Sequence, residues 1–113
     1  MKFAFDLDAL LTSPDVLREL IVALHKDGHQ IHLLASVNEA VVRDAHHTEP
    51  LEQVREIGLH GFVHRLQLLS RAPGKPTKAD YCLDEEIDFL LDGSIVEAVE
   101  AARVCPAVLL ITR

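Results

Sequence analysis

The apolar positions of this chain form short runs that alternate with longer stretches of helical spacing. The first run, residues 2–5, is apolar and aromatic and predicts a buried strand that leads into Asp6. Ser13, Pro14 and Asp15 then supply a capping hydroxyl, a first-turn proline and an early acid, which favour a helix start. A strand followed closely by a helix is therefore predicted.

The helix that follows this start signal has one apolar face. Its members are Leu17, Leu20, Ile21 and Leu24. Gly28 is a fitting helix stop, and residues 31–35 predict a second buried strand. A strand, a helix and a strand in this order form a crossover that is almost always right-handed with parallel strands, so we predict a β–α–β unit.

The rest of the chain continues this alternation. Helices are predicted over residues 39–47, 50–57 and 94–103, and over a short stretch that Thr77 caps and that ends near Asp84. Strands are predicted over residues 61–64, 88–91 and 107–111, and the Pro/Gly-rich residues 70–77 predict a loop. This order predicts the α/β class: a three-layer, Rossmann-like sandwich with a mostly parallel central sheet.

Composition narrows the picture to one domain with an acidic surface. The chain has 113 residues, 49% of them apolar, which suffices for one hydrophobic core. No linker or repeat divides it, so residues 1–113 are predicted to form a single domain. The net charge of -7 excludes a basic surface for nucleic acid, whereas a metal ion and one lysine can still bind a phosphorylated partner.

Three features indicate a cytoplasmic protein. Cys82 and Cys105 lack CxxC spacing, and we expect them to be reduced, partly buried thiols. Asp6 and Asp8 interrupt the apolar start of the chain, so a signal peptide is not expected there. No apolar run approaches the roughly 18 residues of a membrane span.

Polar side chains stand at the predicted ends of several strands. Asp6 and Asp8 follow the first strand, Ser36 follows the second, and Asp92 follows the strand at 88–91. Lys78 begins the helix that leads to that strand. Because ligands bind beyond the carboxyl ends of parallel strands, we expect these five side chains to converge on one crevice.

These residue types suit phosphoryl transfer. Asp6, Asp8 and Asp92 would hold Mg²⁺, which prefers a few carboxylates together with waters and phosphate oxygens. Asp6 would attack phosphorus, and Asp8 would protonate the leaving group and later activate water. Ser36 and Lys78 would bind the phosphoryl oxygens and offset their charge.

Four segments in order resemble the haloacid dehalogenase superfamily. FDLDALLT at 5–12 is similar to its first motif, usually DxDGT, and residues 13–36 resemble its first helix and the strand that ends in Ser or Thr. KADYCLDEEIDFLLDGS at 78–94 resembles its lysine helix and acidic motif. The resemblance implies a small, capless, Mg²⁺-dependent phosphohydrolase that forms an aspartyl-phosphate from a phosphomonoester, on a small molecule or a macromolecule.

The chain also departs from this pattern. Ala9 and Leu10 stand where Gly and Thr are usual, and Gly93 stands where the family has a second acid. Glu97, one turn later, is a candidate replacement for that acid. These departures keep an alternative open: a degenerate, non-catalytic domain that binds a phospho-ligand or a protein partner. A second copy of the chain is a candidate cover for the capless site.

Two further interpretations are weaker. Response-regulator receiver domains also carry an early acidic pair, but they need an Asp after the third strand, and residues 61–68 contain none. The seven histidines include His25 and His29, four residues apart, which would suit a Zn²⁺ site on a helix. Because Gly28 interrupts that helix, we expect the histidines to be surface imidazoles.

Overall fold

The computed structural model describes residues 1–12, 14–43 and 48–111. Ser13, the expected helix cap, and residues 44–47, the expected end of a helix, lie outside the described residues. The strands are β1 (Lys2–Asp6), β2 (Gln30–Val37), β3 (Arg65–Ser70), β4 (Phe89–Asp92) and β5 (Ala107–Leu110). The helices are α1 (Leu7–Thr12), α2 (Pro14–Lys26), α3 (Glu39–Arg43), α4 (Thr48–Glu56), α5 (Lys78–Asp84) and α6 (Ile95–Ala101).

All five strands lie in one parallel sheet with the order β3-β2-β1-β4-β5. Neighbouring residues of a strand point to opposite faces, so Phe5 packs on one side of the sheet and Ala4 on the other. The first face packs against α1, α2 and α4, and the second against α5 and α6. The α/β class with a parallel central sheet is therefore confirmed.

The third strand lies further along the chain than expected. Residues 61–64 were predicted as a strand, but the turn after α4 continues to residue 62 and β3 runs from Arg65 to Ser70. The charged Arg65 and polar Gln67 interrupt the apolar run, which hides the alternation of this edge strand. Pairing with β2 decides the placement, because Leu66 and Leu68 stand beside Leu33 and Ala35.

Several local signals are confirmed. Thr77, the expected cap, forms a capping box with Asp80 at the start of α5. Before α3, the Asn38 side chain accepts the Val41 N–H at 3.0 Å. Gly28 has φ of 87° after α2, a conformation that favours glycine. Both cysteines are free and buried. Among the described helices, none is long and apolar enough to cross a membrane.

Helix α1 was not predicted. It begins at once after β1, and its apolar side chains Leu7, Ala9 and Leu10 are buried. Tertiary packing stabilises this six-residue helix, because isolated helices of such length do not form in water. The helix places Asp8 in an exposed position.

His32 contradicts the expectation that the histidines lie at the surface. It is buried on β2, and its Nδ1 atom lies 2.7 Å from the hydroxyl oxygen of Tyr81. Its Nε2 atom lies 3.3 Å from Oε1 of Gln30. Burial is the main cause that lowers the pKa of His32 below 6.5, since the charged imidazolium loses its hydration.

The buried His32 predicts a loss of stability in mild acid. In the unfolded chain this imidazole binds a proton near pH 6.5, whereas the folded protein resists protonation. His32 therefore makes its full contribution to the free energy of unfolding above that pH, and this contribution declines as the pH falls below it. Urea denaturation between pH 7.5 and 5 should show a shallower decline for His32→Asn than for wild type, and His60→Asn, at an exposed turn, should follow wild type.

Candidate functional site

Two buried aspartates stand side by side at the carboxyl edge of the sheet. Asp6 ends β1 and Asp92 ends β4, and these strands are neighbours in register, with Phe5 beside Leu91. The strand order reverses between β1 and β4, since β2 and β3 follow on one side and β5 on the other. Such a switch point opens a crevice beyond the strand ends, where ligands bind in open parallel sheets.

Lys78 bridges these aspartates. Its Nζ atom donates to Asp6 Oδ1 at 3.0 Å, to Asp92 Oδ2 at 3.1 Å and to Glu97 Oε2 at 2.7 Å. The side chain is only 2% exposed, so these contacts are shielded from water. The Thr77 capping box fixes the start of α5 and thereby directs Lys78, its first residue, at the strand ends.

The charges of this cluster do not balance. Burial acts to lower the pKa of Lys78, but its bond with Glu97 and the charges of Asp6 and Asp92 prevail and raise it. Burial also raises the pKa of Asp92, although the Ser94 N–H and Lys78 oppose this shift. When ionised, the three carboxylates exceed the single ammonium by two negative charges. In that fully ionised state the cluster favours a further cation.

Glu97 belongs to this cluster, and spacing alone did not place it there. Its Oε1 atom accepts a hydrogen bond from the Ser36 hydroxyl at 3.2 Å, while Oε2 accepts from Lys78. Ser94 caps α6, and Glu97 follows three residues later, so its side chain lies in the first turn above the strand ends. The Ser-x-x-Glu pattern of a helix start was the available sequence signal.

Asp8 lies at the rim of the site. A pocket of about 730 Å³ at the carboxyl edge is lined by Asp6, Ser36, Lys78 and Asp8, with Asp92 buried beneath it. The Asp8 side chain is 72% exposed, and its carboxylate approaches Arg71 only to 4.0 Å. The structure thus brings four of the five predicted site residues together, with Asp6, Lys78 and Asp92 buried and Ser36 half-buried, and leaves Asp8 at the opening.

Helix α1 explains two of the departures from the expected motifs. Asp6 Oδ2 accepts the Ala9 N–H at 3.3 Å, so the first turn of α1 folds over this carboxylate. A Cβ atom at Gly93 would stand 3.3 Å from the Ala9 Cβ and 3.6 Å from Asp6 Oδ2. A side chain at position 93 would crowd α1, and Leu10 is wholly buried in the core beneath it.

Within residues 1–12, 14–43 and 48–111, no three acidic, histidine or cysteine side chains form a group that would hold a metal ion by themselves. Mg²⁺ requires less, because it is held by one or two carboxylates with waters and phosphate oxygens. Asp6 offers hard oxygen donors on the pocket wall, Asp92 lies buried beneath it, and the cluster carries two uncompensated negative charges when all three carboxylates are ionised. The residues therefore fit Mg²⁺ bound together with a phosphate group.

No protein-family model and no curated protein matches this chain. The functional assignment therefore rests on the fold and on the contacts of the site.

Proposed function

We propose that the protein is a Mg²⁺-dependent phosphohydrolase of the haloacid dehalogenase type that acts on a phosphomonoester. One observation carries the proposal: a buried lysine joins the aspartates at the ends of β1 and β4, at the reversal of strand order. Phosphoryl transfer at this place needs a nucleophilic carboxylate and a fixed positive charge within reach of the same phosphoryl group. Asp6 and Lys78 meet both needs.

The reaction proceeds in two displacements. A carboxylate oxygen of Asp6 attacks phosphorus, the bond from phosphorus to the ester oxygen breaks, and an aspartyl-phosphate remains on the protein. Asp8 gives a proton to the departing ester oxygen. A water molecule then attacks phosphorus while Asp8 takes its proton, the bond from phosphorus to the Asp6 oxygen breaks, and inorganic phosphate leaves the regenerated Asp6 carboxylate. Ser36 and Lys78 donate hydrogen bonds to the phosphoryl oxygens. These new bonds replace the bonds that both residues now donate to Glu97.

Mg²⁺, when bound, would lie against the carboxylates of Asp6 and Asp92 and neutralise charge on the phosphoryl group. Asp8, at the rim of the same pocket, does not form a three-carboxylate metal group with them in the described part of the chain, so its proposed role is that of the acid and base. Glu97 supplies the carboxylate that Gly93 lacks, since it reaches Lys78 from the next turn of chain.

The alternative is a domain that binds a phospho-ligand or a protein partner without turnover. The exposure of Asp8 favours it, because a general acid must lie within hydrogen-bond reach of the leaving oxygen. In this alternative the Asp6, Lys78 and Ser36 groups would hold a phosphate group, and no aspartyl-phosphate would form.

Calorimetry with Mg²⁺ tests the metal site without depending on turnover. Wild type should bind Mg²⁺ at millimolar concentration, and more tightly in the presence of orthovanadate. Asp92→Asn should weaken Mg²⁺ binding about tenfold or more, because it removes a hard charged ligand while its amide oxygen still accepts the Ser94 N–H. Asp84→Asn, on the exposed end of α5, should bind as wild type does.

The same protein is then assayed on a panel of phosphomonoesters with Mg²⁺. Hydrolysis by wild type supports the phosphohydrolase. Binding of Mg²⁺ and vanadate without hydrolysis would favour the non-catalytic alternative, and no binding of Mg²⁺ at all would rule out the proposed metal site.

A further inference from the structure

We propose that Arg71 forms a second anion subsite, so that the preferred substrate is a phosphomonoester carrying a further acidic group such as a carboxylate. This inference rests on the proposed function and names the substrate class of that same site. Among the described residues that line the pocket, two are cationic, Lys78 and Arg71.

Lys78 has no remaining capacity for a second anionic group. Its three ammonium protons match the three carboxylates that lie within 3.1 Å of Nζ. If a phosphoryl group replaces Glu97, it accepts the one Lys78 hydrogen bond that Glu97 gives up. A further anion in the pocket therefore has to be compensated by another residue.

Arg71 is held at the pocket by backbone contacts. Its N–H donates to the Val37 carbonyl oxygen at 2.9 Å, which extends the β2–β3 pairing by one residue beyond the strand. Ser70 donates its hydroxyl proton to Glu39 and accepts the Ala72 N–H at 3.1 Å. The backbone at the start of the loop after β3 is thus held on both sides of Arg71, and the Arg71 side chain lines the pocket.

The guanidinium is available to a ligand. The Arg71 side chain is 64% exposed, and its 4.0 Å approach to the exposed Asp8 carboxylate is an ion pair of little energetic weight in water. A carboxylate that binds both nitrogens of the guanidinium in a planar pair would be held more strongly. Arg71 therefore exchanges a weak partner for a better one when such a substrate enters.

The space around Arg71 accommodates this second group. Arg71 and Ser36 both line the main pocket and also an adjoining pocket of about 240 Å³, whose other polar lining residues are the amides Asn38 and Gln53 and the carboxylates Asp8 and Glu49. A substrate whose phosphoryl group lies at Ser36 and Lys78 can thus extend past Arg71 toward the amide side chains. The substrate body that fits is polar and carries its second charge a few atoms from the phosphate.

Two probes of the same carbon skeleton test the inference: 3-phosphoglycerate, which has a carboxylate, and glycerol 3-phosphate, which has a hydroxyl in its place. With Mg²⁺, wild type should show a kcat/KM about tenfold or more higher for 3-phosphoglycerate, as expected for one bidentate charged contact. Arg71→Gln should bring the ratio of the two kcat/KM values close to one. Lys26→Gln, which removes an exposed charge at the end of α2 and does not line the pocket, should keep the wild-type ratio.

The outcomes separate this inference from the proposed function. Equal kcat/KM for the two probes in wild type, or a preference that survives in Arg71→Gln, would overturn the subsite and leave the phosphohydrolase intact. If wild type hydrolyses neither probe, the wider phosphomonoester panel decides about the proposed function, and calorimetry of both probes with Mg²⁺ decides about Arg71. Tighter binding of 3-phosphoglycerate that Arg71→Gln abolishes supports the subsite, and absence of that difference refutes it.

Discussion

Asp6→Asn should abolish phosphomonoester hydrolysis, lowering kcat by about 1,000-fold or more. The amide nitrogen and oxygen of asparagine are far weaker nucleophiles than a carboxylate, so the first displacement would not proceed. The fold should survive, because asparagine has the same shape and Lys78 keeps Asp92 and Glu97 as partners. The measurement is steady-state release of inorganic phosphate with Mg²⁺, together with circular dichroism of both proteins.

Asp88→Asn is the matched control for this variant. This variant makes the same aspartate-to-asparagine change at the opposite edge of the sheet, where the Asp88 carboxylate accepts the Lys2 N–H at 2.8 Å. Asparagine can still accept that hydrogen bond, so activity and fold should both persist. Turnover by Asp6→Asn equal to that of wild type would disprove the aspartyl-phosphate mechanism.

Lys78→Met should cost about 3–5 kcal/mol of unfolding free energy at pH 7, the usual cost of removing one partner of a buried ion pair. The variant leaves the carboxylates of Asp6 and Asp92 buried without their ammonium. The loss should be smaller at pH 5, because the folded variant relieves the repulsion by binding protons. Urea denaturation at both pH values measures the effect.

Two further variants make this prediction specific. Lys75→Met removes a half-exposed lysine 3.9 Å from Glu39, and it should change stability by less than about 1 kcal/mol. Lys78→Met combined with Asp92→Asn should be more stable than Lys78→Met alone, because one buried charge is gone. A loss for Lys78→Met no larger than that for Lys75→Met would show that the buried cluster does not depend on the lysine.

The alternation of apolar runs and amphipathic stretches determined the α/β class and the order of most elements. The strand at residues 2–5 and the helix after Pro14 follow from local patterns, since side-chain period and capping act within a few residues. Local patterns were insufficient for β3 and α1. A strand with Arg65 and Gln67 is recognised only beside β2, and a six-residue helix forms only where Leu7 and Leu10 are buried.

The sequence also determined which residues stand at the carboxyl ends of the strands, because parallel strands bring those ends to one edge. Only the tertiary structure decided how the side chains share that edge. The bridging of Asp6, Asp92 and Glu97 by Lys78 depends on a strand order in which β1 and β4 are neighbours, although 82 residues separate Lys2–Asp6 from Phe89–Asp92 in the chain. The outward position of Asp8 and the approach of Arg71 depend likewise on packing between distant segments, which no local period encodes.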